Sequence, residues 1–272
     1  MDPLDFTGRA VVVTGGTRGI GAAIAAAFHS AGADVLICGR TPPTPPPSPP
    51  APAAAPSSAA PALFGLEFFQ ADVRDPAQAA ALINAAVERF GRVDVVINNA
   101  GGSPEVPAGR ASPRLHAKII ELNLIAPLHV AQAANAVMCD QDTGGVILMI
   151  GSVSGTRPSP GTAAYGAAKA GLQHLATSLA AEWAPKVRVN TLVVGPVDVP
   201  GSSASSPPAA STVARTVPMG RAAAAGEVAS ACLLLASPLA GYISGASLAV
   251  HGGGEWPAYL ADLRDTAYRA EK

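Results

Sequence analysis

Seven short apolar runs recur along the chain: AVVV (10–13), DVLIC (34–38), LEFF (66–69), VDVVI (93–97), GVILMI (145–150), VRVNTLVV (187–194) and SLAV (247–250). Most are continuously apolar and do not alternate with polar residues, the pattern of strands buried on both faces. The alanine-rich stretches between them predict helices near 19–31, 76–90, 112–138, 163–183 and 226–236. Strand and helix alternating in this way predict a parallel sheet covered on both sides, and right-handed crossovers make it a doubly wound α/β layout. A seven-stranded sheet in one domain spanning 1–272 is the expectation, and 49% hydrophobic content supplies its core.

Two stretches break the alternation. Residues 41–61, TPPTPPPSPPAPAAAPSSAAP, are dominated by proline, which lacks the donor that a ladder or helix needs. They predict an exposed, polyproline-like or disordered insertion; a role as an SH3-type ligand would rest on composition alone. Residues 201–217, GSSASSPPAASTVARTV, come late, beside the expected mouth of the sheet. They read either as a passive loop or as a mobile lid over the substrate.

The bulk properties exclude several classes. A net charge of −1 gives no field to attract nucleic acid or an anionic membrane. No apolar run approaches the roughly 20 residues of a membrane helix. The first residues, MDPLDFTGRA, lack a secretory pattern, so a cytoplasmic location is expected. Cys38, Cys139 and Cys232 have neither a disulfide nor a zinc spacing and read as three buried small hydrophobes, with no metal site.

The first apolar run is followed by TGGTRGIG (14–21) at the start of a predicted helix. Gly15 permits a tight turn, Gly19 lets a pyrophosphate approach backbone amides, and Gly21 lets the helix pack close to the strand. The helix N-terminus adds partial positive charge. Dinucleotide folds often place an acid about 20 residues further on to hold the adenosine ribose. Here the second strand ends in CGR (38–40), with no acid. Arg40 and Arg18 offer two guanidiniums for a 2′-phosphate, which favours NADP(H) over NAD(H); the other reading leaves Arg40 in solvent. Asp72, in ADV after the third strand, either accepts from the adenine amino group or simply ends the strand. NNAG (98–101) closes the fourth strand, its amides tying neighbouring strand ends together beside the cofactor.

YGAAK (165–169) places Tyr165 and Lys169 on one face of a helix, one turn apart. A free phenol, with a pKa of about 10, is a poor base at neutral pH, and a nearby ammonium favours its ionised form. Lowering it by about 3 units takes about 4 kcal/mol, which a lysine and a positively charged cofactor ring can supply in a sheltered site. Ser152, thirteen residues upstream of Tyr165, can donate a hydrogen bond to the same substrate oxygen. Taken alone, the pair reads equally as a packed aromatic beside a surface lysine.

TGGTRGIG, ADV, NNAG, Asn123 in ELNL, Ser152 in IGSVSG, YGAAK and HGGG (251–254) stand in order between residue 6 and about residue 254. The set resembles the classical short-chain dehydrogenases/reductases. The resemblance implies a Rossmann-type fold, Tyr165 as acid/base, Lys169 on the nicotinamide ribose, Ser152 polarising the carbonyl and Asn123 anchoring a water that links Lys169 to solvent. It also implies that Gly15, Thr17, Arg18, Gly19, Ile20, Gly21, Arg40, Asp72, Val73, Asn99, Ala100, Gly101, Gly195 and Val197 line the cofactor, together with Tyr165 and Lys169. Tetramers or dimers formed through the fourth and fifth helices and the C-terminal region are common in the family. The chain departs from the family pattern after strand six, where Val194-Gly195-Pro196 displaces the usual Pro-Gly. Val199 stands where a threonine often holds the carboxamide, with Ser202 or Ser203 as substitutes. The usual acid before the last glycines is His251, which carries no functional assignment from the sequence and reads equally as a strand-end residue at a subunit contact.

The function these residues predict is hydride transfer between a nicotinamide and a ketone or secondary alcohol, in the direction of NADPH-dependent reduction. The alternatives are an NAD-dependent alcohol dehydrogenase of the same family and a non-catalytic dinucleotide-binding regulator. Gly102, Ser103, Val153, Ser154, Pro196 and Val197 are the expected pocket borders, and their lack of charge predicts a neutral or apolar substrate.

Overall fold

The computed structural model describes residues 2–43, 65–199 and 210–255. Most of the proline-rich stretch, the first part of 201–217, and with it Ser202 and Ser203, lie outside the described residues. The elements run β1 (Ala10–Thr14), α1 (Gly19–Ser30), β2 (Asp34–Gly39), β3 (Glu67–Gln70), α2 (Pro76–Phe90), β4 (Val95–Asn98), α3 (Pro113–Ile120), α4 (Ala126–Asp140), β5 (Gly145–Ile150), α5 (Ala163–Trp183), β6 (Val187–Val194), β7 (Val197–Asp198), α6 (Ala210–Thr216), β8 (Ala223–Ala224), α7 (Ala225–Ala236) and β9 (Ser247–Val250). Seven strands form one sheet in the order β3-β2-β1-β4-β5-β6-β9, every pair parallel. The order reverses at β1, so the crevice beyond the β1 and β4 ends is the switch point where such sheets bind ligands.

Continuity of the apolar runs is explained by the two cores. Val12, Leu36, Val96, Ile147 and Val189 point to one face, against Leu82 of α2, Val130 of α4 and Leu172 of α5. Their neighbours Val11, Val13, Val35, Ile97 and Leu148 point to the other, against Ile24 and Phe28 of α1 and Val228 and Leu235 of α7. Because successive side chains alternate between faces, a strand covered on both sides must be apolar throughout. Each fully buried Leu or Ile contributes about 1.5–3 kcal/mol of transfer free energy. Below the sheet, Asp94 accepts from the Ala10 amide at 2.9 Å and is held by Arg9 and Arg92, so VDVVI contributes strand residues only from Val95.

Helix ends follow local chemistry. Asp75 caps α2 by accepting from the Ala77 amide at 2.9 Å, Pro76 opens it, and Gly91 closes it at φ +75°. The stretch 112–138 is not one uniform helix: a π turn, Glu121–Ile125, separates α3 from α4. Although no continuous apolar run reaches the length of a membrane span, the helical stretch Pro113–Asp140 is long and apolar enough by length and composition alone. Alanine spread between polar residues hides this from a search for continuous runs. In the structure its buried residues, among them Ile119, Val130, Ala134 and Met138, pack inside the protein. The cysteine reading also needs correction. Cys38 and Cys232 are buried, but Cys139 lies exposed near the end of α4, its thiol donating to Asn135 Oδ1 at 3.3 Å on the helix surface.

Candidate functional site

The site forms where the strands end. At β1, the Thr14 hydroxyl receives the amide hydrogens of Asn99 and Ala100, each at 3.0 Å, and Asn99 Nδ2 donates to the carbonyls of Thr14 and Gly15. Asn99 therefore ties β4 to the glycine turn, as expected from NNAG. Asn98 turns the other way and donates to the Pro127 carbonyl. Gly15 and Gly19 have φ of +64° and +60°, a region open to glycine. Gly21 is required for a different reason: a Cβ there would stand 2.3 Å from the Gly15 carbonyl oxygen.

The start of α1 differs from that of α2. Arg18 occupies its N-cap without a side-chain capping bond, and its first turn contains no acid. Unsatisfied amides and the positive end of the helix dipole thus face outward beside a glycine turn. This arrangement fits the pyrophosphate of a dinucleotide. Thr17 lies next to Gly39 at the end of β2, where a Cβ would stand 3.0 Å from Thr17 Cγ2. Ile20 packs into the core beneath α1. Arg18 and Arg40 are exposed at neighbouring strand ends, and neither forms an ion pair among the described residues.

Asp72 follows β3, with Val73 buried beside it. Its carboxylate pairs with Arg74, a residue the sequence reading passed over, and this guanidinium holds the carboxyl below the usual carboxylate range. The expected adenine contact would share an acceptor already in use. Val199, placed by the sequence near the carboxamide, closes over the glycine turn: a Cβ on Gly19 would lie 3.1 Å from its Cγ1.

Tyr165, Lys169, Ser152 and Asn123 come together on the other side of the crevice. Lys169 is not a surface residue; it is 3% exposed, and its Nζ donates to the Ile150 carbonyl at 2.7 Å. The ammonium lies 5.6 Å from the centre of the Tyr165 ring. Burial pulls the Lys169 pKa down to about 8. Burial raises the half-buried Tyr165 phenol above its ordinary value, and a hydrogen bond with the Ser152 hydroxyl acts in the opposite direction. The depressed phenol expected from the sequence is therefore not produced by the chain's own groups, because desolvation is the larger effect and Nζ is committed to Ile150.

Small residues set this geometry. A Cβ on Gly155 would meet the Lys169 carbonyl carbon and the Ala170 nitrogen at 2.7 Å, and one on Gly166 would meet the Ser154 carbonyl oxygen at the same distance. Without side chains at both points, the 152–155 turn lies directly on α5 and brings Ser152 to Tyr165. The π turn positions Asn123, which is fully buried. Its Oδ1 accepts from the Gly102 amide, and its Nδ2 donates to the carbonyls of Gly102 and Ile119, all at 2.9 Å. A Cβ on Gly101 would stand 2.7 Å from Asn123 Oδ1 and 3.4 Å from Lys169 Nζ, so both side chains flank Gly101. Ala100 precedes this point. Gly195 and Val197 follow the end of β6, where the Gly195 amide donates to the Val250 carbonyl at 3.0 Å. The pairing of Val197–Asp198 with Ala223–Ala224 was not legible, since two-residue strands leave no periodicity.

The family described as Enoyl-(Acyl carrier protein) reductase matches residues 15–255. A 3beta-hydroxysteroid dehydrogenase 1 of Eggerthella lenta is 34% identical over 252 residues, covering 92% of this chain and 94% of that protein. The 3-oxoacyl-[acyl-carrier-protein] reductase FabG of Escherichia coli is 34% identical over 256 residues, covering 92% and 98%. Among solved structures, one of a putative short-chain alcohol dehydrogenase from Sinorhizobium meliloti superposes with a TM-score of 0.78 at 28% identity, covering 92% of this chain and 97% of the other.

Proposed function

The chain belongs to the short-chain dehydrogenase/reductase family, oxidoreductases acting on alcohols and carbonyls, and on that premise we propose that it reduces neutral ketones with NADPH. The observation that carries this reading is the meeting of the Tyr165 phenol, the Ser152 hydroxyl and the buried Lys169 ammonium at the mouth of the sheet. The nicotinamide, when bound, supplies the hydride to the carbonyl carbon.

The remaining work falls to the chain. Ser152 donates to the substrate oxygen and orients it. Tyr165 protonates that oxygen as negative charge develops; a phenol raised by burial is protonated at neutral pH, which suits a general acid. Lys169 lies beside the ring to stabilise the phenolate left behind and to hold the ribose. Asn123, flanking Gly101 together with Lys169, anchors the water through which Lys169 is reprotonated. Arg18 and Arg40, without ion-pair partners among the described residues, receive the 2′-phosphate. Gly15, Thr17, Gly19, Ile20, Gly21, Asp72, Val73, Asn99, Ala100, Gly101, Gly195 and Val197 line the rest of the dinucleotide.

Uncharged borders at Gly102, Ser103, Val153, Ser154, Pro196 and Val197 support a neutral or apolar ketone, and the resemblance to a hydroxysteroid dehydrogenase agrees with one of cyclic skeleton. We read the chain as one catalytic domain working in the cytoplasm, with 201–217 as its lid. Exposed Leu239, Tyr242 and Ile243 near the C-terminal strand support association into dimers or tetramers. The test is a panel of ketones and alcohols assayed with NADPH and NADH by nicotinamide absorbance, using wild type and Tyr165→Phe. Turnover of a neutral ketone with NADPH that disappears in the variant supports the reading. Retained activity in Tyr165→Phe overturns it.

A further inference from the structure

Arg40 and Asp72 stand at adjacent strand ends. β2 and β3 run in register to the pair Gly39 and Gln70, and the Ala71 amide then donates to the Gly39 carbonyl at 3.1 Å. Gln70 Nε2 adds a bond to the Arg40 carbonyl at 3.0 Å. The next residues along the two strands are thus an exposed guanidinium and a partly exposed carboxylate. Neighbours of this kind readily close into a bidentate pair. Here they do not: Arg40 forms no ion pair among the described residues, and Asp72 is taken by Arg74. The Arg40 charge still reaches the carboxylate, adding to the Arg74 hydrogen bonds that hold Asp72 below the usual carboxylate range.

Arg74 occupies both oxygens of Asp72. Its Nε donates to Oδ1 at 2.9 Å and to Oδ2 at 3.2 Å, its Nη2 donates to Oδ2, and its amide donates to Oδ1 at 3.2 Å. The turn carrying both residues is itself fixed. The Asp72 amide donates to Gln78 Oε1 at 2.8 Å, and the Asp72 carbonyl accepts from the Asp75 amide at 3.0 Å. A carboxylate left open at this place would act twice against a 2′-phosphate. It would repel the like charge, and it would draw the donors of Arg40 to itself. Paired with Arg74, it does neither.

We propose that Arg74 is a positioning residue for cofactor choice: by occupying the Asp72 carboxylate, it keeps Arg40 unpaired and available to the 2′-phosphate of NADP(H). This rests on the reading of Arg40 as a ligand of that phosphate. Arg74 acts through Asp72, without touching the phosphate itself.

The test is fluorescence titration of the full chain with NADPH and NADH, and the readout is the ratio of the NADH Kd to the NADPH Kd. Contacts to adenine are common to both cofactors and cancel in this ratio. Arg74→Met should lower it about tenfold, the scale of charge-assisted hydrogen bonds lost to a phosphate. Adding Asp72→Asn to Arg74→Met should bring it back to within about twofold of wild type, because no carboxylate is left to capture Arg40. Circular dichroism checks that each variant folds, and Arg74→Gln replaces Arg74→Met if that variant does not. An unchanged ratio in the Arg74 variant overturns the proposal. So does a double variant no better than the single one, the result expected if Arg74 bound the phosphate directly or merely held the turn together. Arg40→Ala separates this from the underlying reading. If it lowers the ratio while the Arg74 variant does not, only the role of Arg74 fails; if it leaves the ratio unchanged, the 2′-phosphate reading fails and takes the proposal with it.

Discussion

Gly155 packs so closely on α5 that a Cβ there would lie 2.7 Å from the carbonyl carbon of Lys169. The obstructing atoms are backbone, so no rotamer change relieves them. Gly155→Ala should push the 152–155 turn off the helix and carry Ser152 away from Tyr165. A loss of about 1–3 kcal/mol in stability is expected from overpacking. The fall in kcat should exceed that in a control Gly→Ala at Gly109, where a Cβ meets nothing within 4 Å. Thermal unfolding and turnover of the two variants check this.

Tyr165→Phe removes the proton donor while keeping the ring that packs near Lys169. We expect kcat to drop by about 10²–10⁴, the usual contribution of a general acid or base. Titration with NADPH should show affinity close to that of wild type. A modest fall in kcat would point to a different proton source.

Lys169 ties stability to pH. Its pKa is about 8 in the folded chain against an ordinary 10.5, so the unfolded state binds the proton more tightly. Stability therefore rises with pH from about 8 to 10.5, and below about 8 the burial penalty is present in full. Tyr165 acts in the opposite sense: its raised pKa favours the protonated fold, so stability falls as pH climbs above the ordinary phenol value. Lys169→Met should remove the upward slope and leave only the fall at high pH. Denaturant unfolding across this range, wild type against variant, isolates the lysine contribution. The same variant should lose most of its turnover, a trade of function for a more comfortable core.

Arg18→Ala combined with Arg40→Ala should weaken NADPH binding at least tenfold, the scale of lost charge-assisted hydrogen bonds to a phosphate. NADH affinity should change less than twofold. Equal losses for both cofactors would show that the arginines serve the loop and not the 2′-phosphate. Fluorescence titration with each cofactor gives both numbers.

The seven strands were legible because burial on both faces forces unbroken apolar runs, and β5, β6 and β9 fall on the residues expected. The same holds for α5, whose bounds match 163–183. Tyr165, Lys169 and Ser152 were found through spacing along one helix and a strand end, and the structure brings them together. What the sequence concealed depends on contacts distant along the chain or on single-residue irregularities. Arg74 belongs to no motif, and its pairing with Asp72 emerges only after β3 turns into α2. Cys139 falls on the outer side of a helix whose register is shifted by the preceding irregularity. The close approach of Gly195 to the His251 Cβ joins residues 56 apart in the chain.

That irregularity, Glu121–Ile125, has a wider consequence. One additional residue in a helix advances its winding by about 100°. α3 packs on α5 near the reaction centre, whereas α4 packs on α2 and the sheet. A single uninterrupted cylinder would have to present one stripe to both neighbourhoods. The widened turn works as a phase shifter: it lets two halves of the same rod address different partners, and at the seam it seats the buried Asn123 against the Gly102 backbone.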